Sequence, residues 1–177
     1  MNNIMIVYKS VTGFTERYAQ WIAAALDCDT VRLKDACAKQ LSPYKTVVFG
    51  SRIHAGRIDG LDRARKLVAG SGAPKLILFA TGGAPAEATP VIEKIWQDNL
   101  TPDELQTIPH FYMPGGLCYE KMPAADRLIM KLAANMMGKA KNKDAIETGF
   151  AQALTASYDS CDEAYILPLV NHIKAGY

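Results

Sequence analysis

The sequence predicts an α/β fold: a five-stranded parallel sheet with helices on both faces, and an inserted helix between the fifth strand and the last helix. Three observations carry this. Short runs rich in β-branched and aromatic residues alternate along the chain with stretches of helical periodicity. The runs lack apolar/polar alternation, as strands covered on both faces do. Loops of small residues follow the first, third and fourth runs, at the edge where such sheets bind ligands. The 177 residues form one domain, 1–177, with about 114–160 an insertion after strand five.

Ile4-Met5-Ile6-Val7 is the first strand. Tyr18, Trp21, Ile22, Ala25 and Leu26 then recur at helical spacing, so a helix begins near Phe14 or Thr15. Thr30 to Leu33 is a short second strand and Thr46 to Ser51 a buried third. A helix over Leu61 to Ala69 leads to the fourth strand, Leu76 to Thr81, and a helix from Ala88 to Asn99 leads to the fifth, His110 to Met113. The last helix covers Asp162 to Ala175, opened by Asp159 and Ser160 as caps. Helical crossovers between successive strands make the sheet parallel.

A formal net charge of +2 argues against a nucleic-acid binder or an acidic docking protein. Cys28, Cys37, Cys118 and Cys161 form no C-x-x-C pair, so neither a zinc site nor a redox dithiol is indicated, and they read as reduced thiols of a cytoplasmic protein. The first strand starts at once, which leaves no room for a signal peptide, and no apolar run is long enough to cross a bilayer.

The loop between the first strand and first helix, Ser10-Val11-Thr12-Gly13-Phe14-Thr15, sets three hydroxyls around a glycine. Its backbone amides face whatever lies above the helix N-terminus, where unpaired N–H groups and the helix dipole favour an anion. Thr12 or Thr15 can also serve as an ordinary N-cap, but a cap needs only one hydroxyl. The loop has no Gly-Lys-Ser/Thr ending and no G-x-G-x-x-G. A phosphate held by hydroxyls and amides, without a lysine in the loop, points to a cofactor with one terminal phosphate, and FMN is the candidate.

Two further loops must face the same ligand. Ser51-Arg52-Ile53-His54-Ala55-Gly56-Arg57 carries two arginines and a histidine, and Thr81-Gly82-Gly83-Ala84-Pro85 has paired glycines that let backbone approach a flat ring. On an extended loop Arg57, after the flexible Gly56, has the reach and permanent charge to stabilise an anionic reduced flavin. His54 does so only when protonated. Arg57 and His54 are therefore the candidate catalytic residues. The alternative for Arg57 is a surface salt bridge to Asp59.

Ser10-Val11-Thr12-Gly13-Phe14-Thr15-Glu16 resembles the flavodoxin phosphate loop, T-x-T-G-x-T-E. Gly50 to Arg57, Met113-Pro114-Gly115-Gly116-Leu117-Cys118-Tyr119 and Asp126 to Leu132 resemble the flavodoxin-like, quinone-dependent protoporphyrinogen oxidases and related flavodoxin-domain proteins. The resemblance implies an FMN phosphate site at Ser10, Thr12, Gly13, Phe14 and Thr15, with Ser51 to Arg57 and Thr81 to Pro85 flanking the isoalloxazine. The chain departs from flavodoxins in three ways: Phe14 replaces a frequent Asn, the second and third loops lack Trp and Tyr, and the charge is not acidic.

In the insertion a helix is expected over Ala124 to Met137, with Leu128, Ile129, Leu132, Ala133, Met136 and Met137 on one stripe and Lys139, Lys141 and Lys143 following. That stripe either packs on the domain or makes 124–143 a peripheral membrane or partner surface. The expected function is FMN-dependent redox chemistry on a small-molecule substrate such as a quinone or tetrapyrrole. The rivals are a non-catalytic electron-transfer flavodoxin serving a redox protein partner, and a flavin-free receiver-type or scaffold domain. The acidic pair of a receiver is missing after the first strand.

Overall fold

β1 (Ile4–Lys9) sits between two parallel neighbours, β2 (Asp29–Arg32) on one side and β3 (Thr46–His54) on the other. The computed structural model describes residues 3–72, 75–128 and 156–176. Beyond β3 the sheet continues in parallel through β5 (Lys75–Gly82) and β6 (His110–Pro114), giving the order β2-β1-β3-β5-β6. The order reverses at β1 and β3, which opens a crevice above their carboxyl ends. The five expected strands are all present in these positions, the second shifted one residue toward the N-terminus.

The absence of alternation in the strands has its explanation in the two cores. Met5 and Val7 face one cluster with Phe49, Leu61, Ala64, Val68 and Trp96, whereas Ile6 and Tyr8 face another with Tyr18, Ile22, Val48, Phe79 and Leu169. The first cluster lies under α3 (Leu61–Gly70) and α4 (Thr89–Asn99), the second under α1 (Phe14–Leu26) and the C-terminal helix. Fully burying one such aliphatic or aromatic side chain stabilises by roughly 1.5–3 kcal/mol.

Short elements escaped the sequence reading. α2 (Ala38–Leu41) is a single turn, and β4 (Arg57–Ile58) pairs antiparallel with the end of β3. α5 (Pro102–Thr107) carries a legible signal: Thr101 and Glu104 form a reciprocal capping box, with proline opening the helix. β7 (Gly116–Leu117) and β8 (Tyr158–Asp159) make a small second sheet.

The C-terminal helix does not start on the expected caps. Asp159 instead bonds the Cys161 amide and pairs with Arg17 at 2.7 Å. Asp162 caps a 3₁₀ turn (Glu163–Ile166) through the Ala164 amide, and that turn leads into α6 (Leu167–Lys174). Proline in the first turn of α6 suits the helix entry, where its missing N–H leaves no bond unmade. Of the helix expected over 124–137, residues 124–128 are described and helical. The rest, with Lys139, Lys141 and Lys143, lies outside the described residues. No helix among the described residues is long and apolar enough to cross a membrane.

Candidate functional site

α1 begins without a side-chain cap. Its N-cap is Gly13, in the left-handed region at φ 101°, and among the described residues no side-chain cap bonds the first turn. Neither Thr12 nor Thr15 caps the helix. Gly13 is required here because an L side chain is strained at that φ. The loop is tightened by Ser10, whose hydroxyl accepts from the Gly13 amide at 3.2 Å. Glu16, the only acid in the first turn, accepts from Arg32 and from the Tyr8 hydroxyl, both at 2.8 Å. Those bonds, Arg32's above all, hold its carboxyl below the usual range. The donors above α1 thus stay uncommitted while the nearby negative charge is already compensated.

Thr15 is buried, and its hydroxyl lies 2.7 Å from that of Thr81. This pair ties the first loop to the end of β5. The Thr15 side chain is thus part of the loop's support. Val11 is exposed. Thr12 and Phe14 line a cavity of about 200 Å³ that continues toward the other loops.

The second loop is not extended. Ile53 and His54 pair with Ile58 and Arg57, and Ala55 and Gly56 make the turn with φ 47° and 76°. Two successive positive φ values mark the hairpin turn whose twist matches paired strands. The hairpin divides the expected residues. Arg52, Ile53, His54 and Ala55 line the cavity. Ser51 does not, since it is fully buried and donates to the Asp59 carbonyl at 2.6 Å. Gly56 and Arg57 also lie elsewhere: Arg57 donates to the Asp98 carbonyl at 2.8 Å, and Asn99 Nδ2 donates to the Gly56 carbonyl at 2.7 Å. Asn99 further accepts from the Ile58 amide and donates to the Ile95 carbonyl, so one side chain clamps β4 to α4. The hairpin turn carries Arg57 to the C-terminal end of α4, away from the cavity that Arg52 and His54 line. Asp59 pairs with Arg52 and Lys9 instead, and although burial raises its carboxyl, these cations hold it below the ordinary value.

In the third loop Thr81, Gly82 and Gly83 line the cavity. Ala84 and Pro85 do not; the Ala84 carbonyl accepts from the Tyr112 hydroxyl at 2.7 Å, and the Gly83 carbonyl from that of Tyr158 at 2.8 Å. A Cβ at Gly83 would come within 2.7 Å of the Tyr158 hydroxyl and one at Gly82 within 3.0 Å of that of Tyr112. The glycines therefore admit two tyrosines behind the loop as well as an approach in front. Burial pushes both phenols up, so they remain donors.

A fourth stretch completes the cavity: Gly115, Gly116, Leu117 and Cys118, followed by Met122 and Asp126. It was missed as site-forming, although Pro114-Gly115-Gly116 repeats the small-residue signal after the strand next to β5. Tyr18 holds this stretch, donating to the Pro114 carbonyl at 2.6 Å while accepting from the Asp162 amide. Asp126 accepts from Arg52 at 3.1 Å and lies 3.2 Å from His54 Nε2. Burial pushes the thiols of Cys28 and Cys161 up to about 11, which leaves them protonated and unreactive. Among the described residues no cluster could hold a metal ion.

The donor set fits FMN. An open helix N-terminus with a glycine cap suits a phosphate, and the adjoining cleft of glycine backbone, Phe14, Ile53, Leu117 and Met122 suits a flat, partly apolar ring. The family model described as a flavodoxin domain matches residues 5–144. Solved structures similar to this chain include two-electron reduced flavodoxin from Megasphaera elsdenii, at 18% identity over 86% of this chain and 99% of that one, with a TM-score of 0.42. Oxidised flavodoxin 2 from Bacillus cereus is 20% identical over 86% and 97%, with a TM-score of 0.38. A WrbA-like flavodoxin from Agrobacterium tumefaciens is 14% identical over 71% and 88%, with a TM-score of 0.42. No curated protein matches. The domain match over most of the chain decides the assignment: this protein belongs to the flavodoxin domain family, and its cofactor is FMN.

Proposed function

We propose that the chain is an FMN-dependent oxidoreductase acting on a small redox substrate of the quinone or tetrapyrrole class. The observation that carries this reading is the set of ionisable groups at the ring-side cavity, His54, Asp126 and Arg52. A one-electron carrier needs no proton-transferring group beside its ring, whereas quinone chemistry moves protons with electrons. The amides ahead of α1 and the Thr12 hydroxyl hold the phosphate; Phe14, Ile53 and the glycines of the third and fourth stretches flank the ring. Bound FMN supplies hydride transfer. The chain's own residues orient the substrate against the ring and manage protons at the cavity rim.

Steady-state turnover of the FMN-loaded protein with a water-soluble benzoquinone tests this. Saturable turnover well above that of free FMN is expected. Turnover with an added redox protein but none with quinones would replace the reading with electron carriage.

A further inference from the structure

His54 and Asp126 form a pair that neither FMN binding nor the fold explains. His54 ends the cavity-lining part of β3, and Asp126 reaches it from a segment 72 residues away in sequence. The Asp126 side chain is only 14% exposed, whereas that of His54 is 39% exposed. Each carboxylate oxygen has its own partner, with Arg52 Nη1 at 3.1 Å on Oδ2 and His54 Nε2 at 3.2 Å on Oδ1. Arg52 is itself fixed, because its Nε donates to Asp59 at 2.9 Å. A carboxylate that accepts from Arg52 accepts from the imidazole as well, which places a proton on Nε2. Nδ1 has no hydrogen-bond partner among the described residues. This ring nitrogen is therefore the one left to exchange a proton with a ligand.

We propose that His54 is the proton donor for two-electron quinone reduction in this cavity, and that Asp126, braced by Arg52, is its positioning residue. The proposal rests on the oxidoreductase reading above. The step balances as one hydride and one proton. Bound reduced FMN would supply one hydride, two electrons with one proton, to one quinone oxygen. The Nδ1–H bond of the His54 imidazolium breaks, and its proton bonds to the other oxygen, giving the quinol. His54 is left neutral, and water at its exposed edge restores the proton. Among the described residues, the charged or titratable groups around the pair include Asp59 and Lys9 behind Arg52, Cys118 on the same cavity, Arg127 next to Asp126 and turned to the Met122 carbonyl, and Arg57 across the hairpin, turned to Asp98.

The test mixes anaerobically reduced, FMN-loaded protein with a water-soluble benzoquinone and follows reoxidation across pH, alongside FMN affinity by fluorescence and the His54 ring nitrogens by NMR in apo-protein. His54→Gln is expected to slow reoxidation by about 10²-fold or more and to flatten its pH dependence. Rates are compared at saturating FMN, because His54 and Asp126 line the cavity beside the ring and their substitution can itself weaken FMN binding. Added imidazole should restore rate to His54→Ala, which a merely structural histidine would not allow. In apo-protein the neutral ring should carry its proton on Nε2, and Asp126→Asn should abolish that preference. Reoxidation of His54→Gln at the wild-type rate, or a slowing matched by loss of FMN, overturns the proton-donor role. Wild-type protein that holds FMN but reoxidises no faster than free reduced FMN overturns the quinone reading itself, and the role with it.

Discussion

The loop ahead of α1 and the β3–β4 hairpin lie at the same edge of the sheet, but they commit their polar groups in opposite ways. Ahead of α1 the cap is a glycine, and among the described residues no side-chain cap bonds the first turn. In the hairpin nearly every polar group has a protein partner: Ser51 with the Asp59 carbonyl, Arg52 with Asp59 and Asp126, Arg57 with the Asp98 carbonyl, Asn99 with three backbone groups. The difference separates a binding surface from a brace. Open donors are useful only if an anion arrives, whereas satisfied ones fix the shape of the wall beside the ring.

Breaking the brace should have the largest effect. Asn99→Ala removes the partner of the Ile58 amide and two further hydrogen bonds, and should destabilise by about 2–4 kcal/mol in urea unfolding. FMN retention should fall as well, because the hairpin loses its anchor on α4. Loss of less than about 0.5 kcal/mol would mean that strand pairing alone holds the hairpin. Next comes the link between the two regions. Thr15→Val leaves the buried Thr81 hydroxyl without its partner and should cost about 1–3 kcal/mol. FMN affinity, measured at a temperature where the variant is folded, should change little. A selective loss of FMN affinity with unchanged stability would return the Thr15 hydroxyl to the phosphate. The smallest effect is expected at Arg57: Arg57→Ala should alter stability by no more than about 0.5 kcal/mol and leave the reduction potential of bound flavin unchanged. A fall in that potential would put its guanidinium back beside the ring.

The same contrast explains what was legible in the sequence. The strands and main helices declare themselves because buried residues must recur with the period of their element, as Met5 and Val7 against Ile6 and Tyr8 do. The reading of Ser10 to Thr15 as a loop for an anion rests on its glycine and hydroxyls, and the structure shows Gly13 as an N-cap with no side-chain cap bond among the described residues. Which hydroxyl faces outward was not legible, since Thr15 is matched to Thr81 across a separation of 66 residues. Arg57 illustrates the same limit. Ala55-Gly56 is a weak hairpin signal beside Asn-Gly or Asp-Gly, and its turn decides the direction of everything after it. The Asp126 contribution depends wholly on tertiary contact with Arg52 and His54.

The central claim is that the cofactor is held by its phosphate on the uncapped N-terminus of α1. Titrating apo-protein with FMN and with riboflavin, which differ only in that phosphate, tests it most directly. Two or more charge-assisted hydrogen bonds to the first-turn amides, each worth about 1.5–3 kcal/mol, should make FMN bind at least about 100-fold tighter. Affinities for the two flavins within about threefold of each other would contradict the account and detach the phosphate from the loop at Ser10 to Thr15.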